Sequence, residues 1–533
     1  MPSTKPESPW APLQQPMFRA LWLATFASNM GTLMQNVGAA WLMTSLASSP
    51  LLVALVQTAN TLPVFLLGAL AGALADIVDR RKLLLLTQGW MCGISFLLAA
   101  TTLLGWTNPA LLLGLTFALG LGAALNAPAW QAIVSELVPA KDLPSAVALN
   151  SMGLNLARAV APAIGGVMVA ASGPGAAFLL NSASFVGVLA VLFRWKRPKL
   201  AARLPAEPLM EALTAGFRYV RYAPTIQAVL IRTGAFMFFG TAIWALLPLI
   251  SRYGLGLGPR GYGVLMGCLG FGAVMGALSL ARLRQAVSLN RLLSGATLLY
   301  ALAMLVPVFI HHVAVVCVAM AVAGFSWLLL LSNVNATVQA AAPAWVRGRA
   351  LAAYLLVAFG AQAFGAAIWG ASVSWIGLWP TLGLCGLGLI GNLALAKRFA
   401  LVRPAEMPKE APADLPAGAE AWRDATSPIR VSVAYRIDPA SERAYREVMR
   451  ELRLVRLRNG ATRWELGHDS GGHCVERFEV NSGTALIRCY ARMTPAERET
   501  ERRAGAFHQE AWPPEVAYSR REPGLAAATT SGG

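Results

Sequence analysis

Gly68-Ala-Leu-Ala-Gly72-Ala-Leu-Ala-Asp76-Ile-Val-Asp79-Arg80-Arg81-Lys82 is the stretch that decides the fold. Gly68 and Gly72 share one face of an apolar helix and let a second backbone come close. Two carboxylates and three cations follow without a spacer. Such a charge burst at the end of an apolar helix marks its exit from a bilayer on the positive, cytoplasmic side. The surrounding composition agrees. The 533 residues are 56% hydrophobic and 13% charged, with a mean hydropathy of +0.54. A soluble chain could not cover its surface with so little charge, so most of this one faces lipid.

About twelve apolar segments of spanning length follow one another, near 19–45, 51–75, 83–105, 109–135, 145–171, 175–194, 225–251, 261–281, 290–311, 313–339, 350–373 and 378–397. Alternate connections carry the cations: Arg80–Lys82, Lys141, Arg194–Lys199, Arg282–Arg291, Arg347 with Arg349, and Lys397 with Arg398. The others are nearly neutral, with only Arg252 and Arg260 among their cations. Both termini are therefore expected in the cytoplasm of a multi-pass inner-membrane protein. Residues 1–400 hold 24 Lys/Arg and 7 Asp/Glu, whereas residues 401–533 hold 20 and 19. The net charge of +18 thus belongs to the membrane part and calls for no nucleic acid. The amino end lacks the pattern of a secretory leader. The six cysteines are scattered without metal spacing. No metal and no cofactor are expected.

The connection at about 195–224 divides the spans into two sets of six that match at an offset of 204 residues. Gly68, Gly72, Ala73, Leu74 and Arg80 recur as Gly272, Gly276, Ala277, Leu278 and Arg284. Val138-Pro-Ala recurs as Ala342-Pro-Ala, and Arg158 falls opposite Gln362. Two parallel repeats place a substrate site between them. The second copy has lost its carboxylates, because Leu280 and Leu283 stand opposite Asp76 and Asp79.

The opening stretch resembles the loop between spans 2 and 3 of the major facilitator superfamily, roughly G-x-x-x-D-x-x-x-R-R/K. Ser8-Pro-Trp-Ala-Pro-Leu13, Phe18-Arg-Ala-Leu-Trp22, Asn126-Ala-Pro-Ala-Trp130 and Ala75–Arg81 resemble its transmembrane secretion effector branch, which contains the enterobactin exporter. The resemblance covers about residues 8–400. It implies the twelve-helix major facilitator fold and efflux of small amphipathic molecules such as siderophores or drugs. Span 5 contains Ala161-Pro162-Ala-Ile-Gly165-Gly166, which resembles the antiporter motif G-P-x-x-G-G with alanine in place of the first glycine.

Arg158 lies in the middle of span 5, where a cation costs about 2.5–3.5 kcal/mol to insert and so faces a wet cavity or a partner. A substrate-facing role and a structural one are both open. Asn29, Gln35, Asn36, Asn126, Asn155, Asn335 and Gln362 also stand at membrane depth, as does Asn333. Each amide can serve interhelical bonding or a polar cavity. Between residues 17 and 400 the only carboxylates are Asp76, Asp79, Glu136, Asp142, Glu207 and Glu211, all at expected helix ends or loops. The cavity is thus polar without anionic groups, which suits an acidic or phenolic substrate. Asp76 sits at the C-terminal end of span 2, where the helix dipole disfavours it. It is expected to latch onto Arg347 and Arg349 when the cytoplasmic side is closed, with Arg80 and Arg81 holding Glu136 or Asp142 and with Asp79 solvated.

The expected domains are 1–195 and 225–400 for the two halves, a cytoplasmic connection at 196–224, a linker at 401–427, a folded tail at 428–521 and a disordered end at 522–533. The tail reads as βαββαβ and resembles the small ferredoxin-like domains of the antibiotic-biosynthesis monooxygenase superfamily. The fold expected overall is thus an all-α polytopic bundle plus a small α+β domain. The tail is expected to serve assembly or regulation, to self-associate through its sheet and to be removable without much loss of transport. Alternatives are a membrane-anchored enzyme with a catalytic tail and a nutrient importer.

Overall fold

The computed structural model describes residues 10–195, 209–401, 415–416, 418–468, 473–510 and 514–520. The start of the inter-half connection, most of the linker and the expected disordered end lie outside them.

Helices α1 (Pro16–Leu46), α2 (Pro50–Ile77), α3 (Arg80–Leu103), α4 (Pro109–Leu137) and α5 (Leu143–Arg194) build the first half. α6 (Leu209–Tyr222) follows in the stretch read as a plain connection. The second half comprises α7 (Pro224–Leu249), α8 (Pro259–Ala286), α9 (Leu289–Phe309), α10 (Val313–Ala341), α11 (Ala344–Ile376) and α12 (Leu378–Arg398). Proline in the first turn starts α1, α2, α4 and α8, where its missing N–H costs nothing. Side-chain caps from Asp79 and Asn108 start α3 and α4.

Among the described residues, ten helical segments are long and apolar enough to cross a membrane, and one of them is the continuous run 145–194. That run breaks at Gly173, whose φ of 77° and ψ of 169° no L-side chain adopts easily, so it counts as two spans. α1 is 31 residues long but does not reach the same hydropathy. It is diluted by Asn29, Gln35, Asn36 and five hydroxyl residues. With α1 and the divided α5 the count is twelve.

The offset of 204 is written into the backbone. Gly173 maps onto Gly377, which has φ 87° and ψ 168° and divides α11 from α12. α4, 109–137, maps onto α10, 313–341, and 174–194 maps onto 378–398. The two halves are therefore structural repeats.

The chain forms two compact units. The first is Met1–Pro205, Ala228–Ala336 and Ala352–Arg403; the second is Ala206–Gln227, Thr337–Leu351 and Pro404–Gly533. Within the second, β1 (Ile429–Tyr435), β2 (Arg463–His468), β3 (Cys474–Val480) and β4 (Glu515–Arg520) form an antiparallel sheet in the order β2-β3-β1-β4. This is the strand order of a split β-α-β sheet. α13 (Glu442–Asn459), α14 (Gly483–Ala491) and α15 (Pro495–Gly505) complete it. Ile429, Val431, Val433 and Tyr435 alternate into its core with Phe478, Val480, Met449 and Leu452.

Candidate functional site

The site grows from the helix period of α1 and α5. In α1, Gly31 and Gly38 pack against Asn181, Ser184 and Phe178 of the segment 174–194. Gln35 lies on that same face, accepting from Ser95 Oγ and Asn181 Nδ2, each at 2.6 Å. The stripe opposite carries Asn29 and Asn36, seven residues apart, neither of them buried.

In α5, Gly153, Ala157, Ala161 and Gly165 lie on the face toward α1, where Gly165 meets Met34 and Gly153 meets Trp22. Met152, Leu156, Val160, Ile164 and Val167 form an exposed, wholly apolar stripe suited to lipid. Between that stripe and α1 run Ala159, Pro162, Ala163 and Gly166, the face toward α8, flanked by Ser151, Asn155 and Arg158. Arg158 is exposed on the flank of that face.

The two halves meet along two seams. A β-carbon on Gly166 would sit 2.5 Å from the Gly263 Cα, and Gly270 lies under the Arg158 carbonyl and Ala159. The two glycines of the span-5 motif therefore serve different neighbours: Gly165 admits α1 and Gly166 admits α8. Pro162 adds its carbonyl, 3.0 Å from where Gly263 would carry a β-carbon. The repeat-related seam joins α2 to α11. There Gly370 meets Ala54, Gly360 meets the Phe65 ring, and Thr58 Oγ1 donates to the Ala363 carbonyl at 2.9 Å. Phe65 and Phe364 cross edge-on with centroids 5.6 Å apart.

All these contacts lie in the half of each helix nearer the neutral loops. At that end Arg252 ties the repeats together, donating to the Thr44 carbonyl at 2.7 Å and to Ser45 Oγ at 3.2 Å. Its guanidinium also lies 5.9 Å from the Trp41 ring centroid. Toward the basic loops the picture changes. Gly68 has nothing within 4 Å of where its β-carbon would be, so in this conformation no second backbone approaches it.

The loop after α2 is ordered by its own charges. Asp79 is exposed and caps α3 by accepting from the Lys82 N–H at 3.1 Å. Arg80 Nη1 lies 2.8 Å from Glu136 Oε1, whose side chain is 4% exposed. Arg81 does not take a carboxylate; it donates to the carbonyls of Leu192 and Phe193 at 3.0 and 2.8 Å. A cation belongs at that helix C-terminus. Asp142 is buried just before α5. The side chains of Gly72 and Asp76 lie outside the described residues. Arg347 Nε donates to the Ala342 carbonyl at 3.3 Å, and the stem of Arg349 rests on Gly216 of α6.

The amides divide into two groups. Asn29, Asn36 and Asn155 are half-buried. Gln35 and Asn126 are engaged between helices of one half, Asn126 accepting from Thr87 and Gln88 at 3.0 and 3.4 Å. Asn333 likewise accepts from Arg284 at 2.9 Å, Asn335 is half-buried and Gln362 is buried. Arg252, Asn181 and Ser95 were not anticipated. A lone cation among neutral loops was the available signal for Arg252.

In the tail, a buried ion network lies between the sheet and the helices. Arg456, 2% exposed, lies 3.2 Å from Glu476 and 2.8 Å from Glu501, with its guanidinium 4.9 Å from the Phe478 ring centroid. Burial works against its charge, but Glu476 and Glu501 outweigh burial and raise its pKa. Trp464 Nε1 donates to Glu476 at 2.9 Å. A substrate chamber for the enzyme reading would have to displace this network.

The comparisons with known proteins fall on the same side. A family model described as transmembrane secretion effector matches residues 7–522, tail included. The enterobactin exporter EntS of Shigella boydii serotype 4 is 29% identical over 240 residues, covering 44% of this chain and 56% of that protein. EntS of Shigella flexneri is 30% identical over 235 residues, covering 43% and 55%. The chain thus spans about half the length of the curated relatives it matches. Among solved structures, a POT family transporter in complex with 5-aminolevulinic acid aligns with a TM-score of 0.59 at 15% identity, covering 72% of this chain and 96% of that one. An inward-facing, unoccupied bacterial homologue of the human lysosomal transporter Spinster aligns with a TM-score of 0.55 at 13% identity, covering 75% and 96%. Likeness at that level speaks for the fold alone, and the fold is that of the major facilitators. The chain is a multi-pass membrane protein that belongs to the transmembrane secretion effector family.

Proposed function

We propose that this protein exports small amphipathic molecules bearing an acidic or phenolic group, by alternating access of a cleft between its two six-helix repeats. The observation that carries the reading is Arg158. Its guanidinium stands on the cleft-flanking face of α5 beside Asn155, at a depth where the sequence supplies no carboxylate. A cation there attracts an anionic substrate and repels a cationic one. The direction of transport follows the family description and the printed name of the relatives.

In this reading the basic loops and both termini are cytoplasmic, as the distribution of cations requires. The conformation is then open to the cytoplasm, with Arg252 and the two glycine-lined seams closing the far side. Asp76 latches onto Arg347 or Arg349 when the cytoplasmic side closes. Breaking that contact lets the repeats rock apart.

The test is transport in cells that lack their own exporters. Arg158→Ala abolishes efflux of acidic substrates while the protein still inserts. Arg158→Lys restores part of it, because an ammonium cannot hold a carboxylate in the two-pronged way of a guanidinium. Normal efflux by the alanine variant contradicts the reading, and net accumulation by the wild type reverses the direction.

A further inference from the structure

The second compact unit brings together three stretches far apart in sequence: α6, the connection Thr337–Leu351 between α10 and α11, and the tail. α6 packs directly on α13. Tyr222, at its end, joins the tail core beside Trp422 and Trp464. Arg218 reaches the C-terminus of α13, its Nη2 3.9 Å from where Gly460 would carry a β-carbon. A helix C-terminus favours a cation there. Burial lowers the Arg218 pKa and pushes the neighbouring Cys489 thiol up to about 11, so the thiol is neutral at physiological pH.

The third stretch is held through Trp345. Tyr219 of α6 meets its ring edge-on, with centroids 5.7 Å apart, and the Arg492 guanidinium of the tail lies 4.2 Å from the ring centroid. Tyr219 Oη also donates to the Ala341 carbonyl at 3.3 Å. One indole is therefore gripped by a residue from the inter-half connection and by another from the tail. A guanidinium at that distance over an indole is among the stronger surface contacts available.

We propose that the tail is a built-in clamp, fixed on α6 and on 337–351 through Trp345, that restrains the connection from which α10 and α11 run. Gly216 of α6 carries the stem of Arg349 on the same connection, so the clamp also positions the start of α11. This reading replaces the expectation that 404–533 can be removed without much loss of transport. Truncation would uncover Tyr222, Arg218 and Trp345 together. The clamp does not depend on which substrate is moved or in which direction.

The test uses the full chain in its membrane, with a protease recognition sequence inserted after residue 410. After cleavage the wild-type tail stays with the membrane through a high-salt wash, because its hold is a joint rather than a tether. Arg492→Glu, a change confined to the half-exposed surface of the tail, raises the released fraction about tenfold or more. Arg492→Lys, which keeps a cation over the ring, releases less. In the uncleaved chain, hydrogen exchange at 337–351 quickens in Arg492→Glu while exchange in α4 does not change. Release of the wild-type tail on cleavage overturns the clamp. So does equal retention in Arg492→Glu, or unaltered exchange at 337–351.

Discussion

The same loop occurs twice in this molecule and is built in two ways. In the first repeat α2 stops at Ile77, Asp79 caps the next helix, and Arg80 meets the buried carboxylate of Glu136. In the second repeat α8 runs on to Ala286. Leu280 and Leu283, at the positions of Asp76 and Asp79, pack on Leu292, Ala296 and Leu329. Arg284 keeps the place of Arg80 but bonds an amide, Asn333, and the Ser332 carbonyl. The glycines differ as well. Gly272 lies hard against the Ala321 carbonyl of α10, whereas Gly68 faces open space. One copy is therefore packed shut within its own half. The other holds the Asp79 cap and the Arg80–Glu136 pair, with open space at Gly68. The proposed gate calls for a breakable contact on one side only, and this asymmetry suits it.

The largest effect expected from breaking the comparison is on stability. Arg80→Ala withdraws a guanidinium from a carboxylate that is 4% exposed, at a cost of about 2–3 kcal/mol. That is below the figure for a fully buried pair, because Arg80 itself is 26% exposed. Combining it with Glu136→Gln recovers most of the loss, and a double-mutant cycle of melting temperatures in detergent measures the coupling. Gly272→Ala forces α8 away from α10 and costs about 1–3 kcal/mol by the same measurement. Arg284→Ala, which removes the bonds to Asn333 and the Ser332 carbonyl, costs about 1 kcal/mol. Asp79→Ala loses a helix cap, also about 1 kcal/mol. Gly68→Ala sits at the other extreme and raises stability by about 0.5–1 kcal/mol, since nothing opposes the new methyl. Gly68→Leu sharpens the contrast: it slows transport at undiminished stability if closure brings a backbone to that face. A melting temperature lowered as far as that of Gly272→Ala would mean the face is already occupied.

Much of this was legible in the sequence, for reasons that differ by region. The first tail strand declared itself through alternation at Ile429–Tyr435. The repeat was readable from a few glycines, and Gly173 with Gly377 extends it to the backbone. The sorting of the amides was not readable. Asn29 and Gln35 are alike in type, and only the placement of α3 and the segment 174–194 buries Gln35 against Ser95 and leaves Asn29 half-buried. α6 was missed because it is short and lies among charges. Its apolar face, Ala215, Tyr219 and Ala223, finds its partners in residues far along the chain.

The account rests on the first-repeat gate, and accessibility of the cleft tests it most directly. Ser151→Cys places a thiol on the exposed α5 surface beside Arg158, in a background whose partly exposed native cysteines are replaced. Labelling by a membrane-impermeant maleimide applied from the basic side is then compared between the wild type and Asp76→Asn. Loss of the latch is predicted to raise the labelling rate several-fold and depress transport together, since the closed state is populated less. Equal labelling in the two proteins contradicts the latch, and with it the role given to the charged copy of the loop.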